Sequence, residues 1–317
     1  MIDVIIPAYN AHETIRRTLS SIACQSIVNK LNVVIVNDAS KKDYIEEVDF
    51  FSKFMNIKEI KLEKNSGPGA CRQKGIDCTN SKYIVFIDSD DIFYSPKSLV
   101  TLYDAIETTN SDVIISSFYV ENDNNEYIEE ISNPTWLHGK IYKRDFLIEN
   151  NIRFSNTYSN EDTGFNNLIY LLDSKIDYIN DFTYVWCYNE NSITRKNNAR
   201  YKYTGIEGYI YNITIAVKSA IDRKMITNKL SELIFSTLVE LYYYYLEYYN
   251  EKDIDEVLLK NSKELVNYYN YYHIDDNLLR NFIICNQYMY IHGKFTNIDL
   301  MKPVISFELF IKKILEY

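Results

Sequence analysis

No stretch of this 317-residue chain strings together the roughly 18 apolar residues that a membrane-crossing helix requires. Cysteine is sparse and odd in number, five in all (Cys24, Cys71, Cys78, Cys187, Cys285), and no CxxC pair occurs. That argues against a disulfide scaffold and a structural zinc site, and it fits a reducing compartment. Cations are outnumbered: 34 Lys and Arg stand against 44 Asp and Glu, a formal net charge of −10. A general nucleic-acid binder needs a cationic surface to displace phosphate counterions, so no nucleic-acid partner is expected. The N-terminus lacks the basic start and long apolar run of a secretory leader. Met1-Ile2-Asp3-Val4 instead opens a short apolar run that ends at Pro7, and the expectation is a core strand and a cytoplasmic protein.

What is present suits a folded core. Hydrophobic residues make up 46% and charged residues 25%, which excludes wholesale disorder, and the length allows one large domain or two ordinary ones. The first half alternates β-branched runs with helix-period segments. The runs are Val4–Ile6, Val33–Val36, Ile57–Ile60, Tyr83–Ile87 and Val113–Ile115. The helical stretches are Thr14–Ala23, Tyr44–Met55, Gly69–Cys78 and Ser98–Thr109. Strands apolar on both faces and separated by helices predict an α/β domain with a mostly parallel sheet covered on each side. Ligands of such sheets bind beyond the carboxyl ends of the strands, so polar residues should gather there. They do, in Pro7-Ala8-Tyr9-Asn10, Asn37-Asp38-Ala39-Ser40, Asn65-Ser66-Gly67-Pro68-Gly69 and Asp88-Ser89-Asp90-Asp91.

The last of these puts three carboxylates into four positions at a strand end. Crowded like charges cost stability unless a cation occupies the site, and oxygen-only ligands suit Mg²⁺ or Mn²⁺. A helix N-cap or a solvated acidic loop is the alternative. Asp38 has two readings, a hydrogen-bond acceptor for a base or ribose and an N-cap for the helix near Tyr44. The glycine-containing loop before Arg72 opens a helix whose N-terminus favours anions, but it is neither a P-loop nor a GxGxxG.

Taken as an ordered set, Val4–Asn10, Asn37–Ser40, Asn65–Arg72 and Phe86–Asp91 resemble the motifs of family 2 glycosyltransferases. Trp136-Leu137-His138-Gly139-Lys140-Ile141-Tyr142, Glu161-Asp162, Trp186-Cys187-Tyr188 and Ser192-Ile193-Thr194-Arg195 extend the likeness. It covers roughly residues 1–200 and implies a GT-A, Rossmann-like fold. By that resemblance Pro7, Tyr9, Asp38, Asn65, Arg72, Asp88 and Ser89 would hold the nucleotide-sugar, most often a UDP-sugar. Asp90, with Asp88, would bind the metal bridging the diphosphate. Asp162 would be the general base, with Glu161 beside it, and the anomeric centre would invert. Trp136, His138 and Arg195 are candidates for acceptor or diphosphate contacts, with burial or a surface position as the alternative for each. The acceptor would be a hydroxyl of a cell-surface glycan, a teichoic-type polymer, a lipid-linked sugar or a protein. Two rivals stand beside this reading: a nucleotidyltransferase, and a sugar-nucleotide or glycan-binding module without turnover.

Residues 1–205 are expected to form the catalytic domain and 206–317 a smaller helical C-terminal domain. Asn228–Tyr249 reads as helix, and Leu241–Tyr249 wraps it in aromatics, part of a total of 30 tyrosines. One face suits a core, the rest a homo-oligomer surface, an acceptor platform or a peripheral membrane contact at the inner face. Phe307–Leu315 is amphipathic with two lysines, consistent with docking on its own domain or with a membrane surface.

Overall fold

The computed structural model describes residues 1–157, 159–190, 192, 199–248, 252–272 and 305–317. The chain divides into two compact units. The first is Met1–Ile169 with Asp173–Asn197, and the second is Tyr170–Leu172 with Asn198–Tyr317.

The first unit begins with β1 (Ile2–Ala8), α1 (Ile15–Ala23), β2 (Leu31–Asn37), α2 (Ile45–Phe51), β3 (Asn56–Lys61), α3 (Pro68–Asp77) and β4 (Tyr83–Phe86). Strands β3, β2, β1 and β4 lie side by side in parallel, with Val4 level with Val33 on one side and Val85 on the other. Every residue of β1 is buried, as a strand covered on both faces demands. The chain continues through β5 (Ile92–Phe93), α4 (Ser98–Thr109), β6 (Val113–Glu121), β7 (Tyr127–Glu130), β8 (Lys140–Lys143), α5 (Arg144–Glu149), α6 (Glu161–Leu171) and β9 (Ile176–Trp186). The sheet order is β3-β2-β1-β4-β8-β6-β9-β5, with β7 paired to β6. The second half is mixed: β8 runs antiparallel to both β4 and β6, while β9 is parallel to β6.

The expected elements of the first half are present, with one shortened. The helical period from Tyr44 runs on in the sequence to Met55, yet α2 ends at Phe51 because the chain turns there to enter β3, leaving Phe54 exposed. The polar segment after Glu121 is the turn of the β6–β7 hairpin. The Asn122 amide donates to the Glu126 carbonyl (2.9 Å), the Glu126 amide donates to Asn122 Oδ1 (2.9 Å), and Asn125 is left-handed at φ 58°.

The second unit is helical among its described residues: α7 (Ala199–Asp222), α8 (Asn228–Glu247), α9 (Lys252–Tyr272) and α10 (Phe307–Glu316). Ile210, Ile213, Leu238, Leu241, Leu258, Val266, Phe310 and Ile314 share its core. The tyrosine-rich stretch of α8 turns inward. Tyr242, Tyr243 and Tyr245 are buried, and the Tyr242 hydroxyl donates to the Ile305 carbonyl at 2.6 Å. Helix α10 is capped by Ser306 and buries Phe310 and Ile314 in this core, so its apolar face docks on its own unit. Among the described residues no helix is long and apolar enough to cross a membrane.

Candidate active site

The parallel strands deliver their ends to one edge of the sheet. Pro7 is buried within β1 beside Val36, and Tyr9 follows it into solvent. Asp38, just past β2, is buried and both of its carboxylate oxygens are engaged. They accept from the amides of Ser66 and Gly67 at 2.7 and 2.9 Å. Asp38 therefore ties two strand-end loops together and does not cap α2, whose Tyr44 amide goes to Glu59 (3.0 Å). Gly67 has φ 87°, which only glycine adopts without strain. Gly69 lies so close to the Ser155 carbonyl and the Glu161 side chain that a Cβ there would sit 2.6 and 2.9 Å from them. Asn65 is exposed at the head of the loop.

Arg72, in the first turns of α3, is buried between two motifs. Its Nη2 donates to Asp88 Oδ1 at 2.6 Å and its Nη1 to Glu161 Oε1 at 2.5 Å, leaving Nε without a partner. Burial raises the Asp88 carboxyl, but the adjacent guanidinium outweighs it and holds the group below the usual carboxylate range. The neighbouring Ser89 is half-buried. Asp90 accepts from Asn189 Nδ2 at 2.7 Å, and its carbonyl from Arg17 at 2.5 Å. Burial and the charge of Asp88 push its carboxyl up. Asp91 is fully buried and anchors β9: the Tyr184 hydroxyl donates at 2.5 Å and the Cys187 amide at 2.8 Å. Burial, with the charges of Asp90 and Asp88, raises its carboxyl well above the ordinary value.

Asp88, Asp91 and His138 each offer a ligand atom within 4.8 Å of the others. The buried Nδ1 of His138 has no partner, and burial pushes the imidazole down to about 3, so the ring is neutral and one of its two nitrogens keeps a lone pair for a ligand bond. Two carboxylates and a neutral imidazole fit a divalent cation. Asp90 is next in the chain to this group but outside it.

A second wall is aromatic. His138 stacks on Trp186 (5.3 Å between centroids) and Trp136 meets Trp186 edge-on (5.4 Å), with Phe118 and Tyr184 behind them. Beside it α6 opens with Glu161 and Asp162. Glu161 is buried on Arg72, whereas Asp162 is half-buried and, among the described residues, accepts only its neighbour's Thr163 amide (2.8 Å). Burial first, then the charge of Glu161, raise the Asp162 carboxyl to about 7, against the opposing pull of Arg72. Lys140, buried on β8, is pushed down to about 7 by burial.

The structure thus brings Arg72, Asp88, Glu161 and Asp162 into one electrostatic group, with Asp90, Trp136 and His138 around it. Pro7, Tyr9, Asp38 and Asn65 stand at the neighbouring strand ends. Arg195 lies outside the described residues. Tyr184, Asn189, Lys140 and Asn166 belong to the site as well, and none of them stands out in the sequence. Lys140 and Tyr184 lie in or beside the motifs, so their position was a signal, but their partners are remote in sequence.

Residues 3–159 match the family model described as Glycosyl transferase family 2. Glycosyltransferase GlyG of Streptococcus pneumoniae serotype 4 is 26% identical over 289 residues, which cover 81% of this chain and 92% of GlyG. The poly(ribitol-phosphate) beta-N-acetylglucosaminyltransferase TarP of Staphylococcus aureus is 29% identical over 156 residues, and the match spans 49% of this chain and 46% of TarP. The crystal structure of S. aureus TarS 1-349 in complex with UDP-GlcNAc superposes with a TM-score of 0.69 at 18% identity, covering 92% of each chain. At that identity the likeness is one of fold.

Proposed function

This chain belongs to glycosyltransferase family 2 and has the GT-A fold with a helical C-terminal region, and from that premise we propose that it transfers a sugar from a UDP-sugar to an acceptor hydroxyl with inversion. The observation that carries the reading is Arg72, whose guanidinium joins Asp88 of the acidic strand end to Glu161 of the acidic helix start. One buried residue thereby ties a donor-side cluster to a base-side pair. The uridine donor is supported by the UDP-GlcNAc complex of TarS, which shares the fold.

In this mechanism the strand-end loops from Pro7, Tyr9, Asp38 and Asn65 hold the nucleotide, with Ser89 alongside. Mn²⁺ or Mg²⁺, held by Asp88 with Asp90 or with Asp91 and His138, would neutralise charge on the departing diphosphate. Asp162 takes the acceptor proton as the hydroxyl oxygen attacks the anomeric carbon. The bond from that carbon to the phosphate oxygen breaks, UDP leaves on the far face, and a single displacement inverts the centre. A carboxylate titrating at about 7 suits general-base catalysis, being ionised often enough to act and basic enough to take a proton. Glu161, committed to Arg72, keeps the charge balance around Asp162 rather than reaching substrate. The acceptor is a hydroxyl of a cell-surface glycan, teichoic-type polymer, lipid-linked sugar or protein.

The test is UDP release from a panel of UDP-sugars with Mn²⁺, Mg²⁺ or EDTA, alongside Asp90→Ala and Asp162→Ala. Metal-dependent hydrolysis of one donor names the sugar. Asp162→Ala should bind UDP as wild type does and lose turnover. If no UDP-sugar is hydrolysed and UDP gives no metal-dependent thermal shift, the uridine assignment fails.

A further inference from the structure

The segment between β7 and β8 would ordinarily give its backbone carbonyls to water, as surface turns do. Here three of its carbonyls are taken by two buried side chains. Lys140 Nζ donates to the Asn133 carbonyl at 2.7 Å and also to the Trp136 carbonyl, and Asn166 Nδ2 donates to the Thr135 carbonyl at 2.7 Å. Inside the turn, Asn133 Oδ1 accepts the amides of Thr135 and Trp136 at 2.8 and 3.0 Å.

Lys140 is 1% exposed, and among the described residues no carboxylate lies within ion-pair distance of it. Burying a lysine head group is costly unless it is hydrogen-bonded, so the value of such a lysine lies in the two carbonyls it holds. Asn166 lies four residues after Asp162 on α6, on the same helix face, and its Oδ1 accepts the Tyr142 hydroxyl from β8 at 2.9 Å. The turn also leans on β6 through Gly139, left-handed at φ 64°, whose carbonyl takes the Ser116 amide and hydroxyl at 2.9 and 2.8 Å. A Cβ at Gly139 would lie 2.5 Å from Ser116 Oγ, so only glycine permits this approach.

We infer that Lys140 and Asn166 are positioning residues that lock the Asn133–Trp136 turn to β8 and to the Asp162 helix, so that Trp136 and Asp162 form one preorganised acceptor subsite. Neither residue touches substrate. Both act through the turn, and the inference rests on the glycosyl-transfer reading above. A displacement of about 1 Å in a catalytic constellation costs up to about 10²-fold in rate, which is the loss that such a clamp prevents.

The chain has only two tryptophans, Trp136 and Trp186, and both belong to this wall, so intrinsic emission reports on it directly. Lys140→Met keeps the stem and removes the donors, and Asn166→Leu releases the turn from the helix side. Both should keep the wild-type far-UV spectrum and UDP affinity by thermal shift. The ligand-free tryptophan emission should shift to the red. UDP-sugar hydrolysis should lose about 10-fold or more in kcat with donor KM unchanged. Unchanged emission would show that the side chains do not hold the turn. A shifted emission with wild-type kcat would show that the turn is not part of the reacting side, and either result overturns the inference. Should Lys140→Met fail to fold, Asn166→Leu carries the same comparison. If the wild type itself hydrolyses no UDP-sugar, the donor reading fails separately, and the ligand-free emission still decides whether the clamp exists.

Discussion

Arg72 is the residue on which the two acidic motifs balance. The Arg72–Glu161 pair is buried on both sides, at 6% side-chain exposure each, whereas Asp88 is 36% exposed and shares its charge with solvent. Removing one member of a buried pair leaves an uncompensated charge, a cost of about 3–5 kcal/mol. Arg72→Met should therefore lower the urea midpoint strongly, and Arg72→Met with Glu161→Gln should recover part of the loss. Equal midpoints for the single and double variants would show that the pair is not the source. Asp162 makes a second case at this scale. A base must be ionised, so the acid limb of kcat/KM should rise with pH through about 7. The charge of Glu161 raises the Asp162 carboxyl, so Glu161→Gln should move that limb to lower pH, as a pH profile of donor hydrolysis would reveal. A limb that stays in place would mean that Asp162 is not the titrating base.

At the scale of elements, the loops do as much as the strands. Asp38 gathers the Ser66 and Gly67 amides, so Asp38→Ala should destabilise the ligand-free protein by about 1.5–3 kcal/mol, the range for a hydrogen bond to a charged group. Denaturation without nucleotide checks this, and a loss seen only with UDP present would assign Asp38 to the ligand instead. This is also where the sequence was readable in part. The strands β1 and β2 are apolar on both faces and their polar ends announce themselves, because burial on two sides leaves an unbroken β-branched run. Strands β8 and β9 escape that test. Lys140-Ile141-Tyr142-Lys143 carries a buried lysine, and β9 is half-buried or exposed from Ile176 to Phe182, so neither shows a clean apolar run. The site divides the same way. Asp88, Asp90 and Asp162 are visible as local clusters. That Asp91 belongs to Tyr184 and Cys187, or that Glu161 belongs to Arg72, depends on partners some 90 residues away, which no local pattern encodes.

For the molecule as a whole, the excess of acid is not spread evenly over a surface. In the second unit the tyrosines that look like a binding face mostly fill a core, with hydroxyls such as those of Tyr209 and Tyr242 paired to Glu240 and the Ile305 carbonyl at 2.7 and 2.6 Å. In the first unit, Asp90, Asp91 and Asp162 all have their carboxyls raised above the ordinary value. A carboxyl whose folded value is raised binds its proton more tightly in the native state. Its contribution to stability is complete below the unfolded value of about 4 and is lost as pH rises through the folded one, near 7 for Asp162. Through Asp162 the ligand-free protein should therefore lose stability between about pH 4 and 7, and Asp90 and Asp91 add a loss in the same direction as pH rises. Asp88, lowered by Arg72, acts oppositely, and its effect is confined to more acid solution. A divalent cation competes with the protons of Asp90 and Asp91, so it should stabilise the protein more where they have already left. The Tm gain from Mn²⁺ should accordingly be larger at pH 7.5 than at pH 5, and Asp90→Ala should shrink it. Thermal denaturation at both pH values, with Mn²⁺ or EDTA, reads this directly. Equal gains at the two pH values would separate the cation from the acidic cluster and return the raised carboxyls to a purely structural role.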